Sequence, residues 1–291
     1  MKNIIIEIAT NIMKNKQLHF CRRLSILLIA VGVTALLACN NGESTEKTPA
    51  TVAAYTSLED LDGHTVGVVT GSTMDIMMGD TVNFPNITLV RFNTPSMLIS
   101  SVEKGETDCG IIDVIQLQAH KLSKHGLAVD FTLSGGFDVA TAFNMRDNKL
   151  RDQFNDFIIQ VKSDGTLDSM LAYWTSERID TVDLPAFPEL KNLKGHPLEV
   201  ATLSDNMPFS FYRENGWIGF EIELVTKFGI FINRPVHFSG YTFDEVLPAL
   251  LEHKVDMVAA NLFITPDRSK RVLYSNPYYF CKTSCFSKAR E

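Results

Sequence analysis

From residue 58 onward the apolar positions follow two alternating rhythms. Short runs such as the VGVV of "HTVGVVTGSTMDIMM" (64–78) are bounded by polar or glycine turns, which predicts buried strands. Between them, apolar residues return every three or four positions, the spacing of a helix with one buried face. The strand in 64–78 runs through a glycine turn into a helix capped by Ser72 or Thr73. "MLISSVEKGETDCGIIDVIQLQAHK" (97–121) predicts a helix, a stop at Gly105, a strand at 109–112, and Asp113 at the strand's end. "FDVATAFNMRDNKLRDQFNDFIIQVKSDGTLDSMLAYW" (137–174) predicts a strand and two helices divided at Gly165.

Residues 175–197, "TSERIDTVDLPAFPELKNLKGHP", hold three prolines and no clean period, and read as a connector. A second pattern then starts with a strand at 198–203 and a turn at "NMPFSFY". In "GWIGFEIELVTKFGIF", Phe220, Leu224, Phe228 and Ile232 recur every four residues and predict a helix whose aromatic stripe is core. "TFDEVLPALLEHKVDMVAANLFITPDR" gives a helix, a short loop and a strand, with Arg268 just past its end. Strands alternating with amphipathic helices predict an α/β fold, mixed sheets flanked by helices.

Composition narrows the function classes. The chain has 291 residues, 45% of them hydrophobic and 21% charged, a globular balance that fits one two-lobed domain or two small ones. A net charge of -7 without long runs or a basic stripe excludes nucleic acid as the expected partner. Cys109 sits in an apolar stretch and is expected to be a buried thiol. Cys281 and Cys285 are four apart in one expected strand, too far for a disulfide within it. There is no C-x-x-C pair, and the seven histidines lack zinc spacing, so neither a metal nor a cofactor is expected.

The first 39 residues are a targeting segment. Arg22 and Arg23 precede an apolar run at 24–37, too short to span a bilayer comfortably. It ends in Leu36-Leu37-Ala38-Cys39, which resembles the bacterial lipobox, whose cysteine is lipidated and becomes the mature N-terminus. A transmembrane anchor or a buried helix is the competing reading, and Met13 is a second possible start. Residues 40–55 open with the polar "NNGESTEKTP" and are expected to form a flexible tether.

Six segments together carry a family resemblance: "LEDLDGHTVGVVTGST", "VEKGETDCGIIDV", "KSDGTLDSMLAYW", "MPFSFY" with "GWIGFEIEL", "FDEVLPALLEHKVDMVAANLFITPDR" and "YSNPYY". They resemble the type 2 periplasmic solute-binding proteins of ABC importers, bacterial extracellular family 3, amino-acid-binding type. That resemblance implies two lobes with a ligand cleft between them. In the family the segments like 198–280 come first and those like 58–174 follow, whereas here the order is exchanged. A circular permutation is therefore expected, with 175–197 joining the family's usual termini; a fragment of a tandem protein is the alternative. The expected division is 56–135 with a C-terminal crossing strand in 281–291 as one lobe, and 136–280 as the other. Residues 282–287 are expected beside 139–144, both crossing between the lobes.

The resemblance also implies roles. Arg268 would pair with a ligand's α-carboxylate, Thr73 with Ser72 would meet that group from the other lobe, and Asp113 would take its α-ammonium. Phe243 would pack on the ligand's side chain, and Asn261 stands where serine is common. Read alone, Arg268 fits a surface ion pair, Thr73 a turn and cap, Asp113 a turn former and Phe243 a core residue. Leu203 replaces an acid found in members that bind basic amino acids, and Asn206 replaces an aromatic, so a lysine- or arginine-type ligand is disfavoured. The implied function is a monomeric, lipid-anchored protein at the periplasmic face of a bacterial membrane. It would capture an amino acid or similar small zwitterion for an ABC permease. An enzyme on the same fold, of the cyclohexadienyl dehydratase type, and a regulatory, non-transport module are the alternatives.

Overall fold

The computed structural model describes residues 54–176, 193–213 and 216–290. The leader with Cys39, the tether up to residue 53 and residues 177–192 of the connector lie outside the described residues. The tether's last two residues differ from expectation. Ala54 and Tyr55 dock on the folded unit, where Asp130 accepts from both their amides and Tyr55 is 6% exposed.

β1 (Thr65–Val69) is buried along nearly its whole length, as a strand covered on both faces by apolar side chains must be. α1 (Thr73–Met78) opens on Ser72, whose hydroxyl accepts from the Asp75 amide. β2 (Thr88–Phe92) leads to α2 (Pro95–Lys104), where the Thr94 hydroxyl accepts from the Met97 amide and Gly105 closes the helix at φ 78°. These are the start and stop signals of the sequence, each satisfying end groups that the helix itself cannot. β3 (Cys109–Asp113), α3 (Val114–Ala119), β4 (Leu127–Thr132), β5 (Phe137–Val139), β6 (Ala142–Asn144), α4 (Asn148–Ser163) and α5 (Thr166–Trp174) follow.

Past the connector come β7 (Leu198–Thr202), β8 (Asp205–Asn206), β9 (Ser210–Arg213) and β10 (Gly216–Ile218). "NMPFSFY" is thus not all turn. β9 pairs antiparallel with both β8 and β10, buried at Ser210 and Phe211 and exposed at Tyr212 and Arg213. Pro208 just before it, and the lack of a period-2 alternation, hide this strand in the sequence. α6 (Phe220–Phe231), β11 (Val236–Gly240), α7 (Val246–Leu251), β12 (Met257–Val258), β13 (Val272–Tyr274), β14 (Tyr279–Cys281) and β15 (Thr283–Lys288) complete the fold.

Two five-stranded mixed sheets result, ordered β2-β1-β3-β15-β4 and β11-β7-β12-β6-β13. In the first, β1 runs parallel to β2 and β3, while β15 is antiparallel to β3 and β4. In the second, β7 is parallel to β11 and β12, and β6 is antiparallel to β12 and β13. Apolar clusters pack on both sheets. Phe154, Phe157, Trp174 and Phe228 from α4, α5 and α6 form the largest, and Val246 and Leu250 of α7 belong to another.

Two chain segments pass between the sheets, β4 to β6 and β13 to β15. They pair midway as the antiparallel ribbon β5–β14, with Val139 opposite Tyr279 and Phe137 opposite Cys281. The pairing therefore falls on 137–139 and 279–281, not on 139–144 and 282–287. Thr283–Lys288 instead fills the slot between β3 and β4, since five of its six residues are buried and such a strand belongs inside a sheet. Cys281 and Cys285 consequently lie on successive strands, and both are buried free thiols, as is Cys109.

Candidate functional site

A cavity of about 330 Å³ opens at the carboxyl ends of strands from both sheets. Val69 ends β1, Asp113 ends β3, Gly240 ends β11 and Leu203 directly follows β7, and all four line it. Ligands of open α/β sheets settle at that edge because the loops there can vary while the strands hold them in place.

One corner is built around Arg268, 9% exposed. Its Nη1 donates to the Phe263 carbonyl at 3.1 Å and lies 3.5 Å from Thr73 Oγ1. Its Nη2 donates to the Gly71 carbonyl at 3.2 Å, and its guanidinium carbon stands 5.4 Å from the centre of the Phe243 ring. The Gly71 turn brings that carbonyl close: φ is +72°, and a Cβ there would come within 2.9 Å of Asp244 Cβ. All these partners are neutral, and among the described residues no carboxylate is paired with Arg268. Thr73, Ser72 and Phe243 line the cavity while Arg268 itself does not, being set one side chain behind its wall.

A second corner holds Asp113, 3% exposed. Its Oδ1 accepts from the Ile115 amide at 2.8 Å and caps α3. Its Oδ2 accepts from Asn261 Nδ2 at 3.1 Å, a bond between residues 148 apart. Burial pushes the Asp113 carboxyl above the usual range, because the charged form loses more from desolvation. Asn261 has φ +50°, and its Oδ1 is buried without a hydrogen-bond partner.

Glu221 holds Asn261 from below. It is fully buried, both its carboxylate oxygens accept from the Asn261 amide at 2.9 Å, and one accepts from the Tyr278 hydroxyl. Burial raises its carboxyl to about 7. Sequence reasoning passed over Glu221, although the signal was present. With Leu224, Val225 and Phe228 it forms an i, i+3, i+4, i+7 stripe, and a carboxyl on such a stripe must find partners inside the protein.

A third group was also missed as a unit. Gln116 on α3 donates through Nε2 to Oδ1 of Asn206 on β8, and both residues line the cavity. The structure thus gathers Arg268, Thr73 and Phe243 at one corner, and Asp113 and Asn261 at another. Ser72 lies in the wall as the α1 cap, and Cys39 falls outside the described residues.

Residues 198–291 match the family model for bacterial extracellular solute-binding proteins, family 3. ABC transporter arginine-binding protein 1 of Escherichia coli (strain K12) is 36% identical over 25% of this chain and 30% of its own length. Membrane-bound lytic murein transglycosylase F of Cellvibrio japonicus (strain Ueda107) is 29% identical over 44% of this chain and 26% of its own. Among solved structures, the ancestral amino acid-binding protein AncCDT-1, a precursor of cyclohexadienyl dehydratase, is 39% identical over 28% of this chain and 37% of its own, with a TM-score of 0.28. The chain spans about a third of the length of the curated relatives it matches. The likeness to the bacterial extracellular solute-binding proteins, family 3, thus lies in residues 198–291.

Proposed function

We propose that the chain is a solute-binding protein that holds an amino acid or a similar small zwitterion in this cavity and delivers it to an ABC permease. The observation that carries the reading is Arg268, a buried guanidinium contacted only by neutral groups among the described residues. A buried cation is costly unless an anion accompanies it. A ligand carboxylate at Thr73 supplies that anion, and the fork of Arg268 suits its geometry. Asp113, with the unpartnered Asn261 Oδ1 beside it, offers the matching acceptors for an ammonium group. Phe243 and Phe263 give the ligand an apolar wall, and Phe263 is backed by Phe137, stacked at 4.8 Å.

The same reading makes the protein a monomeric carrier without catalysis, exported and lipid-anchored through Cys39 at the outer face of a bacterial membrane. It also takes the exchanged order of the halves as a circular permutation of one domain. Two observations support that order. One cavity draws on residues as far apart as Ser72 and Thr283. Residues 55 and 289 also meet the same stretch, because Asp130 of β4 accepts from the Tyr55 amide while the Ala289 amide donates to the carbonyl of Gly126, the residue before β4. Stretches that meet on a surface can be joined or opened there, the physical condition for permutation.

Calorimetric titration with a panel of amino acids tests the function. The expected result is saturable binding of at least one of them, lost in Arg268→Ala. Equal affinity of the variant would remove Arg268 from the site.

A further inference from the structure

We infer that Gln116 and Asn206 form the subsite for the ligand's side chain and select a neutral carboxamide end, as in glutamine or asparagine. The inference rests on the amino-acid reading above and adds the class of side chain.

Gln116 is 4% exposed and Asn206 3%, and the bond from Gln116 Nε2 to Asn206 Oδ1 uses one end of each amide. Asn206 Nδ2 is left buried without a partner, and Gln116 Oε1 makes no hydrogen bond to the described residues. Both residues line the cavity. The pair therefore has one spare donor and one spare acceptor, the complement of a carboxamide's C=O and N–H. Turning both amides over exchanges the two ends but keeps one of each, so the conclusion does not depend on amide orientation.

Charged side chains fit less well. A guanidinium or ammonium carries donors only and leaves the spare donor facing a donor. A carboxylate carries acceptors only, and no lysine, arginine or histidine lines the cavity to offset its charge. Asp205 and Glu245 also border the cavity, each tied at one oxygen, to Ser96 Oγ at 2.7 Å and to the Thr242 amide at 3.0 Å, and their remaining acceptors make arginine the competing ligand in the test. A site built to hydrogen-bond a polar group discriminates strongly against ligands that leave its buried groups unpaired.

Calorimetry on the full chain with L-glutamine, L-asparagine, L-arginine, L-glutamate and L-alanine provides the test. Glutamine or asparagine is expected to bind at least about tenfold tighter than arginine and glutamate, about 1.4 kcal/mol. Asn206→Leu should weaken the preferred amide at least about tenfold more than it weakens alanine. Asn206→Asp, which keeps the shape and adds an acceptor, should shift preference toward arginine, and it serves where the leucine variant fails to fold. Arginine or glutamate binding as tightly as glutamine would overturn the subsite while leaving the amino-acid reading intact. Binding of none of the five would overturn the subsite, and the amino-acid reading falls as well if the wider panel also fails to bind.

Discussion

Arg268 and Asp113 bring opposite charges to two corners around one cavity, and each is held by neutral donors or acceptors alone. Removing one partner from a buried charged contact costs roughly 2–5 kcal/mol, and Arg268→Ala is expected to lose about that much affinity for a zwitterion in calorimetry. Asp113→Asn should weaken zwitterions more than ligands of the same shape without an amino group, and equal weakening would contradict its ammonium role. Glu221 gives a signature that depends on pH. Its carboxyl is raised by burial from the usual 4.5 to about 7, so the folded state holds a proton that the unfolded state releases. Its stabilising contribution is complete below about 4.5 and is lost as pH rises through about 7. The size is on the order of 3 kcal/mol at 1.36 kcal/mol per pH unit. Denaturant unfolding from pH 4 to 8 should show this loss, and Glu221→Gln, an isostere of the neutral carboxyl, should flatten it. An equal slope in the variant would assign the dependence to other groups.

The elements differ in how far local sequence could specify them. α2 was legible at its C-terminal end because Gly105 marks the stop, and the α4–α5 division because Gly165 takes φ 78°. The roles expected of Arg268, Thr73 and Asp113 came from the family resemblance, and the structure sets Thr73 and Asp113 in the cavity wall with Arg268 against Thr73. Gln116 and Asn206 were not legible as a pair, being 90 residues apart, and the stripe that marks Glu221 as buried does not name Asn261 and Tyr278 as its partners. The position of β15 was hidden for the same reason, since nothing in "TSCFSK" names β3 and β4 as its neighbours. Its role has a measurable consequence. Phe286 of β15 is fully buried, and a Cβ on Gly110 of β3 would come within 2.5 Å of its ring. Phe286→Ala should cost roughly 3–5 kcal/mol of unfolding free energy. Phe280 of β14 is 53% exposed, and its replacement by alanine should change stability by less than about 0.5 kcal/mol if the ribbon's register persists. Comparable losses at both positions in urea titrations would contradict the placement of β15 between β3 and β4 inside its sheet.

At the scale of the molecule, the account treats two stretches in exchanged order as one domain closing around one ligand. β1, β3 and β15 supply one wall, β7, β11 and the loop after β12 the other, and the β5–β14 ribbon is where they would pivot. If Cys39 carries a lipid, Cys39→Ser should move the protein from the membrane fraction to the soluble one without changing ligand affinity. Persistent membrane association would point to a transmembrane anchor. The most direct test of the central claim is to restore the other order. A chain with residues 198–290 first, a short linker, then residues 56–176 exploits the hydrogen bonds by which Tyr55 and Ala289 both meet the stretch 126–130 and places the new ends at the connector. Titrated beside the native order, it should unfold in one cooperative transition and bind the same amino acid with one site per chain, within about threefold in affinity, or 0.6 kcal/mol. A reordered chain that folds but does not bind, beside a native order that does, would contradict the account.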